Sequence, residues 1–403
     1  MGQRFHLVAP RAKFSLSSGG KLGEILFDGS AQVLVSLLTV PVRPSTPRLI
    51  NSRLATQLQR GGDGTPSTDL AEDSSANRLA KRKQHQRTAS VVDSPPRKRA
   101  KPQGDNIAQT DQPVKFSALP VEVHQLIFAH IELVDDVVCL GTTSRYFWAV
   151  SQEYIHNFYT GFLGRWAGKN IVCVGEDVEA GDYPPKLFSE TEREELWQTS
   201  TNKMYTEDYP DGVQFPPVQF TLHHFSYPNV SYIEKDVNFL SKSLNLLARC
   251  SARGGYVDVV CLIGSAFLVE ESDYWPQDER WVLRNLTTKE FVRAEAVALK
   301  PEYIHGPKID VLGFGEVVMS RICWSSSSSA SMSYKGNITR GVWAGHCFDI
   351  TTLSRHAQET RGKGWKDVSK EVMEEVAGIW EREYGSDWRE QICNRRHQSY
   401  GNQ

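Results

Sequence analysis

One stretch of this sequence is unsuited to a packed core, and it divides the chain into two unequal parts. From about Pro41 to Val114 the residues are mostly Pro, Ser, Thr, Gly, Gln and Arg, with few aromatic side chains and no sustained hydrophobic period. Such a stretch buries too little apolar surface to offset the conformational entropy lost on ordering. We therefore predict a disordered basic linker at 43–115 and a weakly ordered segment at 1–42. The folded body should begin at Phe116, and residues 1–115 should be dispensable for it.

The most apolar part of the N-terminal segment runs from Ala31 to Val42 and is about a dozen residues long. A helix needs about 20 apolar residues to span a bilayer, so this run is too short. It also lies behind the polar stretch Ser15 to Lys21, which argues against a secretory signal. We expect an edge strand or weakly ordered chain here, and no membrane partner.

Charge is distributed unevenly, with 18 Lys and Arg against 9 Asp and Glu in residues 1–115, and 28 against 39 in the rest. Two basic clusters lie inside the linker: Lys81, Arg82 and Lys83, and then Arg97, Lys98, Arg99 and Lys101. This arrangement resembles a bipartite nuclear localisation signal, whose two clusters engage an import receptor together. The alternative is a solvated linker, or one that touches nucleic acid weakly. Ser94, followed by Pro95, is a candidate phosphorylation site whose phosphate would offset neighbouring positive charge.

The seven cysteines are odd in number, widely spaced and form no CxxC pair. This pattern is typical of reduced thiols in a cytosolic or nuclear protein rather than of a disulfide framework. Together with the basic clusters, it predicts a protein of the nucleus and cytoplasm.

A helical pattern begins abruptly after Phe116. Leu119 and Pro120 open it, Glu122 suits a first helical turn, and Val123, Ile127 and Ile131 follow at steps of four. Asp135 and Asp136 can start a second short helix that carries Val137 and Leu140, and Thr143 or Ser144 can cap a third from Arg145. The apolar face is too wide for one side of a lone helix, so part of it must meet a partner or another helix.

The run from Leu119 to Val150 resembles an F-box, in its opening Leu-Pro, its Ile127-Phe128 pair, its acidic turn and its Thr-Ser-Arg-Tyr-Phe close. The resemblance implies an F-box at about 116–151 that binds a Skp-type adaptor and, through it, a cullin scaffold. It implies that the adaptor is contacted by Leu119, Pro120, Val123, Ile127, Ile131, Val137, Leu140 and Arg145. An ordinary three-helix piece of core is the alternative.

The remainder, 152–403, reads as a linking helix to about Trp166 followed by a mixed α+β domain that recruits a substrate. Helices are predicted at Glu190 to Gln198, Asp236 to Cys250 and around Val368 to Trp380. Strands are predicted at Ile171–Val174, Val257–Ile263, Trp281–Leu286, Phe291–Leu299, Gly315–Cys323 and Gly341–Ile350. This half resembles an uncharacterised C-terminal region of fungal F-box proteins, a likeness that names no activity. The predicted fold class is α+β, with a disordered N-terminal part, a three-helix F-box and a linking helix.

Catalysis is not expected. The chain has no Gly-x-Ser-x-Gly, His-Glu-x-x-His, Walker or Rossmann pattern, and His223-His224 and His346-Cys347 lack zinc-site spacing. We predict no catalytic residue, no metal and no cofactor.

The leading interpretation is therefore a substrate-receptor subunit of a Skp-cullin-F-box ubiquitin ligase, which recruits an unknown protein for ubiquitination. The first alternative is a nuclear protein that uses its basic linker on nucleic acid or chromatin while the F-box serves only adaptor binding. A nucleic-acid partner is less expected, because such domains interleave basic and aromatic residues on a folded face and the globular part is acidic. A cryptic enzyme on the β-rich half has no motif behind it.

Overall fold

A computed structural model describes residues 2–42, 116–199, 219–234 and 271–401, and within them the fold is α+β, as predicted. The strands are β1 (Arg4–Ala9), β2 (Phe14–Lys21), β3 (Val172–Gly175), β4 (Tyr232–Glu234), β5 (Trp281–Asn285), β6 (Glu290–Arg293), β7 (Ile304–His305), β8 (Lys308–Ile309), β9 (Cys323–Trp324), β10 (Phe348–Thr352) and β11 (Lys366–Asp367). The helices are α1 (Leu22–Phe27), α2 (Val33–Leu38), α3 (Val121–Ala129), α4 (Val134–Gly141), α5 (Arg145–Thr160), α6 (Glu190–Gln198), α7 (Ala294–Val297), α8 (Phe314–Arg321), α9 (Leu353–Thr360), α10 (Ser369–Tyr384) and α11 (Trp388–Gly401).

Two sheets organise these strands. The larger has the order β4-β2-β1-β3-β9, with β1 antiparallel to both of its neighbours and the outer pairs parallel. The smaller has the order β10-β5-β6-β11, and β7 and β8 form a separate hairpin. Strand β10 of the smaller sheet bonds to the segment after α2 and to the segment before β3. Val40 N donates to Ile350 O at 2.9 Å, and Gly168 N donates to Phe348 O at 2.8 Å.

The expectation of a weakly ordered segment at 1–42 is wrong. Strand β1 lies at the centre of the larger sheet, with Phe5, Val8 and Ala9 fully buried. Strand β2 is rich in Ser and Gly, which have low β-propensity, but it is held between β1 and β4. One of its two partners, β4, is three residues long and distant in sequence, and the composition of β2 itself gives no strand pattern, so sequence patterning missed it. Residues 2–42 are therefore part of the folded body and not dispensable for it.

The apolar run from Ala31 to Val42 is also not an edge strand. It contains helix α2, in which Leu34, Val35, Leu37 and Leu38 are all buried. A short run that is apolar on every side carries no periodicity, so strand and helix cannot be told apart from sequence.

The strand predicted at Gly315–Cys323 is also wrong, because the adjacent apolar residues Val317, Val318 and Met319 do not distinguish a buried helix from a strand. Helix α8 occupies it, and all eight of its residues are buried. Its close packing requires glycine, because a Cβ on Gly315 would lie 2.2 Å from the Ala31 carbonyl oxygen. Two other predicted strands are correct only in part. Of Gly341–Ile350 only the end is a strand, as part of β10. Phe291–Leu299 divides into β6 and the short helix α7.

The predictions that depend on local signals are confirmed. Helix α6 matches Glu190–Gln198, where Ser189 and Glu192 form a capping box. Strand β3 matches the predicted strand within a residue, and β5 and β6, which begin the strands predicted at Trp281 and Phe291, pair as an antiparallel hairpin. Helix α10 carries the predicted apolar stripe and ends at Gly385, whose φ is 88°. The predictions at Asp236–Cys250 and Val257–Ile263, and the linker at 43–115, lie outside the described residues.

One buried carboxyl group gives the fold a pH dependence. Burial raises the pKa of Glu316 from 4.5 to about 7, although Gly313 N and Gln32 Nε2 both donate to its Oε2 at 2.8 Å. A pKa raised by folding stabilises the protein below the unfolded value, and that stability is lost as pH rises through the folded value.

We expect Glu316→Gln to remove this dependence. Between pH 5.5 and 8 the wild type should lose about 2 kcal/mol of unfolding free energy relative to the variant, given the shift in pKa at Glu316. Urea unfolding of both proteins across this range measures the difference. Parallel pH profiles would contradict the assignment.

Candidate docking surface

Helix α3 carries both buried and exposed large side chains. His124 and Phe128, one turn apart, are each 1% exposed and face the protein interior. Val121 and Leu126, in contrast, are exposed to solvent. The wide apolar face of the sequence therefore divides between the chain's own core and the surface.

A buried histidine fixes the geometry of this helix. His124 Nε2 lies 2.8 Å from the Phe116 carbonyl oxygen, and Nδ1 lies 2.9 Å from the Tyr146 hydroxyl. A carbonyl oxygen only accepts, so Nε2 is the donor in the first hydrogen bond. The Phe147 ring meets the imidazole edge-on, with centroids 4.9 Å apart. These contacts tie the turn before α3 to the start of α5.

The other two helices close on the first. Ser144 caps α5, accepting from Phe147 N at 3.1 Å, as one of the two predicted caps. Asp135 and Asp136 lie in the first turn of α4 rather than at its N-cap. In the first turn their negative charges still interact favourably with the helix dipole. Gly141 lets α4 approach α5 closely, because a Cβ there would lie 2.3 Å from Ser151 Oγ.

Large apolar side chains are unusually exposed on this three-helix unit. We call five of them the docking surface: Phe116 (38%), Val121 (44%), Leu126 (60%), Leu133 (51%) and Tyr146 (44%). Among the described residues only Trp197, Tyr232 and Val342 are comparably exposed elsewhere. Exposed apolar side chains concentrated in one segment make it a candidate interaction site, because protein surfaces otherwise show such residues singly.

The residues predicted to contact an adaptor fall into three groups. Pro120 and Arg145 are exposed, and a further set is half-buried beside the docking surface: Leu119, Val123, Ile127, Ile131 and Leu140. Val137 is 3% exposed and packs in the core, so the prediction that it contacts a partner is wrong. Sequence reasoning assigned no contact role to the five docking-surface residues. The only signal for them was the excess width of the apolar face.

The three-helix unit is firmly attached to the rest of the molecule. The predicted linking helix is the second half of α5, which ends at Thr160, followed by turns to Trp166. Gly164 N donates to Ser36 O at 2.9 Å, and Trp166 N donates to Leu37 O at 3.0 Å. His156 Nδ1 lies 2.8 Å from the Tyr274 hydroxyl, and Trp166 is fully buried. The docking surface is thereby held at a fixed position relative to both sheets.

The two pairs considered as metal ligands, His223-His224 and His346-Cys347, lie in different surroundings. Burial lowers the pKa of His223 to about 4, and the nearby His6 adds to the effect. His346 Nδ1 lies 3.0 Å from Asn285 Nδ2, and burial also lowers its pKa. Within the described parts of the chain, His, Cys, Asp and Glu form no cluster of three or more that could hold a metal ion.

The predicted import and phosphorylation residues lie outside the described residues, namely Lys81, Arg82, Lys83, Ser94, Arg97, Lys98, Arg99 and Lys101. In the portion that is described, no helix has both the length and the apolar character to cross a bilayer. Comparison of the chain with protein-family models, curated proteins and solved structures finds no match. A functional assignment therefore rests on the geometry of the docking surface and of the three helices that carry it.

Proposed function

We propose that this chain is a substrate-receptor subunit of a Skp-cullin-F-box ubiquitin ligase. The docking surface binds a Skp-type adaptor, and the adaptor connects the chain to a cullin scaffold. The α+β remainder recruits a protein substrate. The chain itself contributes no catalytic group to ubiquitin transfer.

One observation carries the proposal. The segment whose sequence resembles an F-box is the segment where exposed apolar side chains concentrate, with five of them between Phe116 and Tyr146. A three-helix unit that only supported the core would bury these side chains further, since full burial of a large apolar side chain contributes about 1.5 to 3 kcal/mol relative to full exposure, and these five remain 38 to 60% exposed. A partner surface that covers them accounts for their exposure.

The firm attachment of the unit suits this role. A receptor accelerates transfer by holding its substrate near a charged ubiquitin-conjugating enzyme, which raises the effective concentration of the two reacting groups. That effect depends on a defined distance between adaptor and substrate. The contacts of the turns after α5 with α2, and of His156 in α5 with Tyr274, provide such a connection on this side of the assembly.

Replacing Leu119 and Pro120 together by Ala should abolish capture of the chain by a purified Skp-type adaptor. Pro120 is exposed and Leu119 half-buried at the entry to α3, so the change removes contact area and loosens the helix start. Co-purification measures capture, and circular dichroism checks that the variant is folded. Undiminished capture by a folded variant would refute the F-box interpretation.

We also infer that the protein is imported into the nucleus through its two basic clusters. Replacing Arg97, Lys98, Arg99 and Lys101 by Ala should shift a fluorescent fusion to the cytoplasm, because one of two cooperating clusters is lost. Microscopy of both fusions measures the nuclear fraction. An unchanged distribution would contradict import by this route.

A further inference from the structure

We propose that a basic surface around Trp365 binds single-stranded nucleic acid. This Trp365 surface comprises the indole together with Lys289, Arg361, Lys363 and Lys366. It is formed by the turn between β5 and β6 and by the loop between α9 and β11. It is separate from the docking surface, and the inference goes beyond the proposed receptor function.

The four cations of this surface are exposed, and three of them lie within the six residues 361–366. Lys366 N donates to Lys289 O at 3.0 Å, which places the β5–β6 turn beside the loop. Lys366 has Glu371 at 3.5 Å, whereas no carboxylate among the described residues lies within ion-pair distance of Lys289, Arg361 or Lys363. Three charges near Trp365 therefore have no carboxylate partner in the described part of the chain and are available to a polyanion.

The ring itself is held from behind. The Arg284 guanidinium carbon lies over one face of Trp365, 5.6 Å from the ring centroid. Arg284 is fixed in turn by Asp349, to which its Nε and Nη2 donate at 2.7 and 2.6 Å. The His356 ring meets the indole at 90° with centroids 5.1 Å apart. The half-buried indole is thus fixed in orientation by Arg284 and His356, and a ligand can stack only on the part of the ring that remains exposed.

Two glycines lie just before the ring in the same loop. Gly362 and Gly364 have φ values of 67° and 73°, and a Cβ on either would meet no atom within 4 Å. Left-handed backbone rather than crowding therefore accounts for glycine at these positions. The loop that carries the indole is thus uncrowded at both glycines.

Fixed aromatic rings among cations are the means by which proteins bind single strands without sequence preference. The cations neutralise phosphates while a base stacks on the ring, and a duplex offers no free base face. An acidic peptide would use the same cations but would gain nothing from a flat, rigid indole. The arrangement therefore favours a single-stranded polynucleotide over an acidic protein segment.

The test uses the full chain with the seven cations of the linker clusters changed to Gln, so that the linker cannot mask the folded surface. Fluorescence anisotropy follows binding of oligothymidylate and oligouridylate of about 15 nucleotides. Replacing Lys289, Arg361 and Lys363 by Gln should weaken binding at least about tenfold and reduce the slope of log Kd against log salt from about 3 to about 1. Trp365→Leu should weaken binding about fivefold or more at an unchanged slope.

A control variant with Lys169, Lys186 and Lys335 changed to Gln removes the same charge from other exposed positions and should bind nearly as the parent does. The tighter of the two oligonucleotides identifies DNA or RNA as the ligand. Equal binding of an abasic strand of the same charge would overturn the proposal in favour of any polyanion. Binding that disappears with the linker cations alone, or that survives the triple change, would also overturn it.

Discussion

Deletion of residues 1–42 is expected to prevent folding of the α+β body. Strand β1 lies between β2 and β3, and Phe5 and Val8 are fully buried in the cores on either side of it. Helix α2 adds four more buried side chains. Removing a large buried side chain costs about 2 to 5 kcal/mol, so losing several exceeds the roughly 5 to 15 kcal/mol that holds a typical domain together.

Circular dichroism and thermal unfolding of the truncated and full chains measure this effect. The truncated chain should show no cooperative transition, whereas deletion of 60–101 from the linker, a segment of similar length, should leave the melting temperature unchanged. A truncated chain that unfolds cooperatively near the full chain's melting temperature would contradict the central position of β1.

Replacing Leu126 and Leu133 together by Glu is expected to weaken adaptor binding at least about 100-fold. Both side chains are more than half exposed, so the free protein should tolerate the charges with little change in stability. In a complex the two carboxylates would be buried against an apolar partner, which costs several kcal/mol. Isothermal titration calorimetry with the purified adaptor measures the loss of affinity.

A matched control places the same charges on exposed apolar residues elsewhere, as Tyr232→Glu and Val342→Glu. This control should bind the adaptor as the wild type does. Equal weakening by both pairs would show that added negative charge, rather than the docking surface, determines affinity.

The parts of the fold that could be predicted are those specified by neighbouring residues. Helix α6 has Ser189 and Glu192 to start it, helix α10 has an apolar stripe and Gly385 to end it, and four residues connect β5 to β6. Each signal lies within a few residues of the structure that it specifies. Sequence patterning reads such signals well.

The parts that could not be predicted depend on contacts between distant residues. The Ser- and Gly-rich β2 is a strand because β1 and β4 pair with it, and α8 is a helix that is buried on every side, its polar residues included. A helix without a solvent-exposed face and a strand of poor propensity both give misleading local patterns. Tertiary packing decides them.

The same division applies to the docking surface. The helix positions and the Ser144 cap follow from local sequence. The local sequence does not show which apolar residues face outward, because this depends on how α3 and α4 pack on α5. Val137 faces inward and Leu126 outward, although both are apolar residues of short helices. Exposure is a property of the assembled unit.

Binding of a Skp-type adaptor to the docking surface can be tested by hydrogen exchange of the full chain with and without the purified adaptor. We expect slower exchange in the complex across residues 116–146, where the docking surface lies, and little change in β5, β6 and α10. Protection confined to the sheets, or no protection anywhere at saturating adaptor, would contradict the receptor assignment.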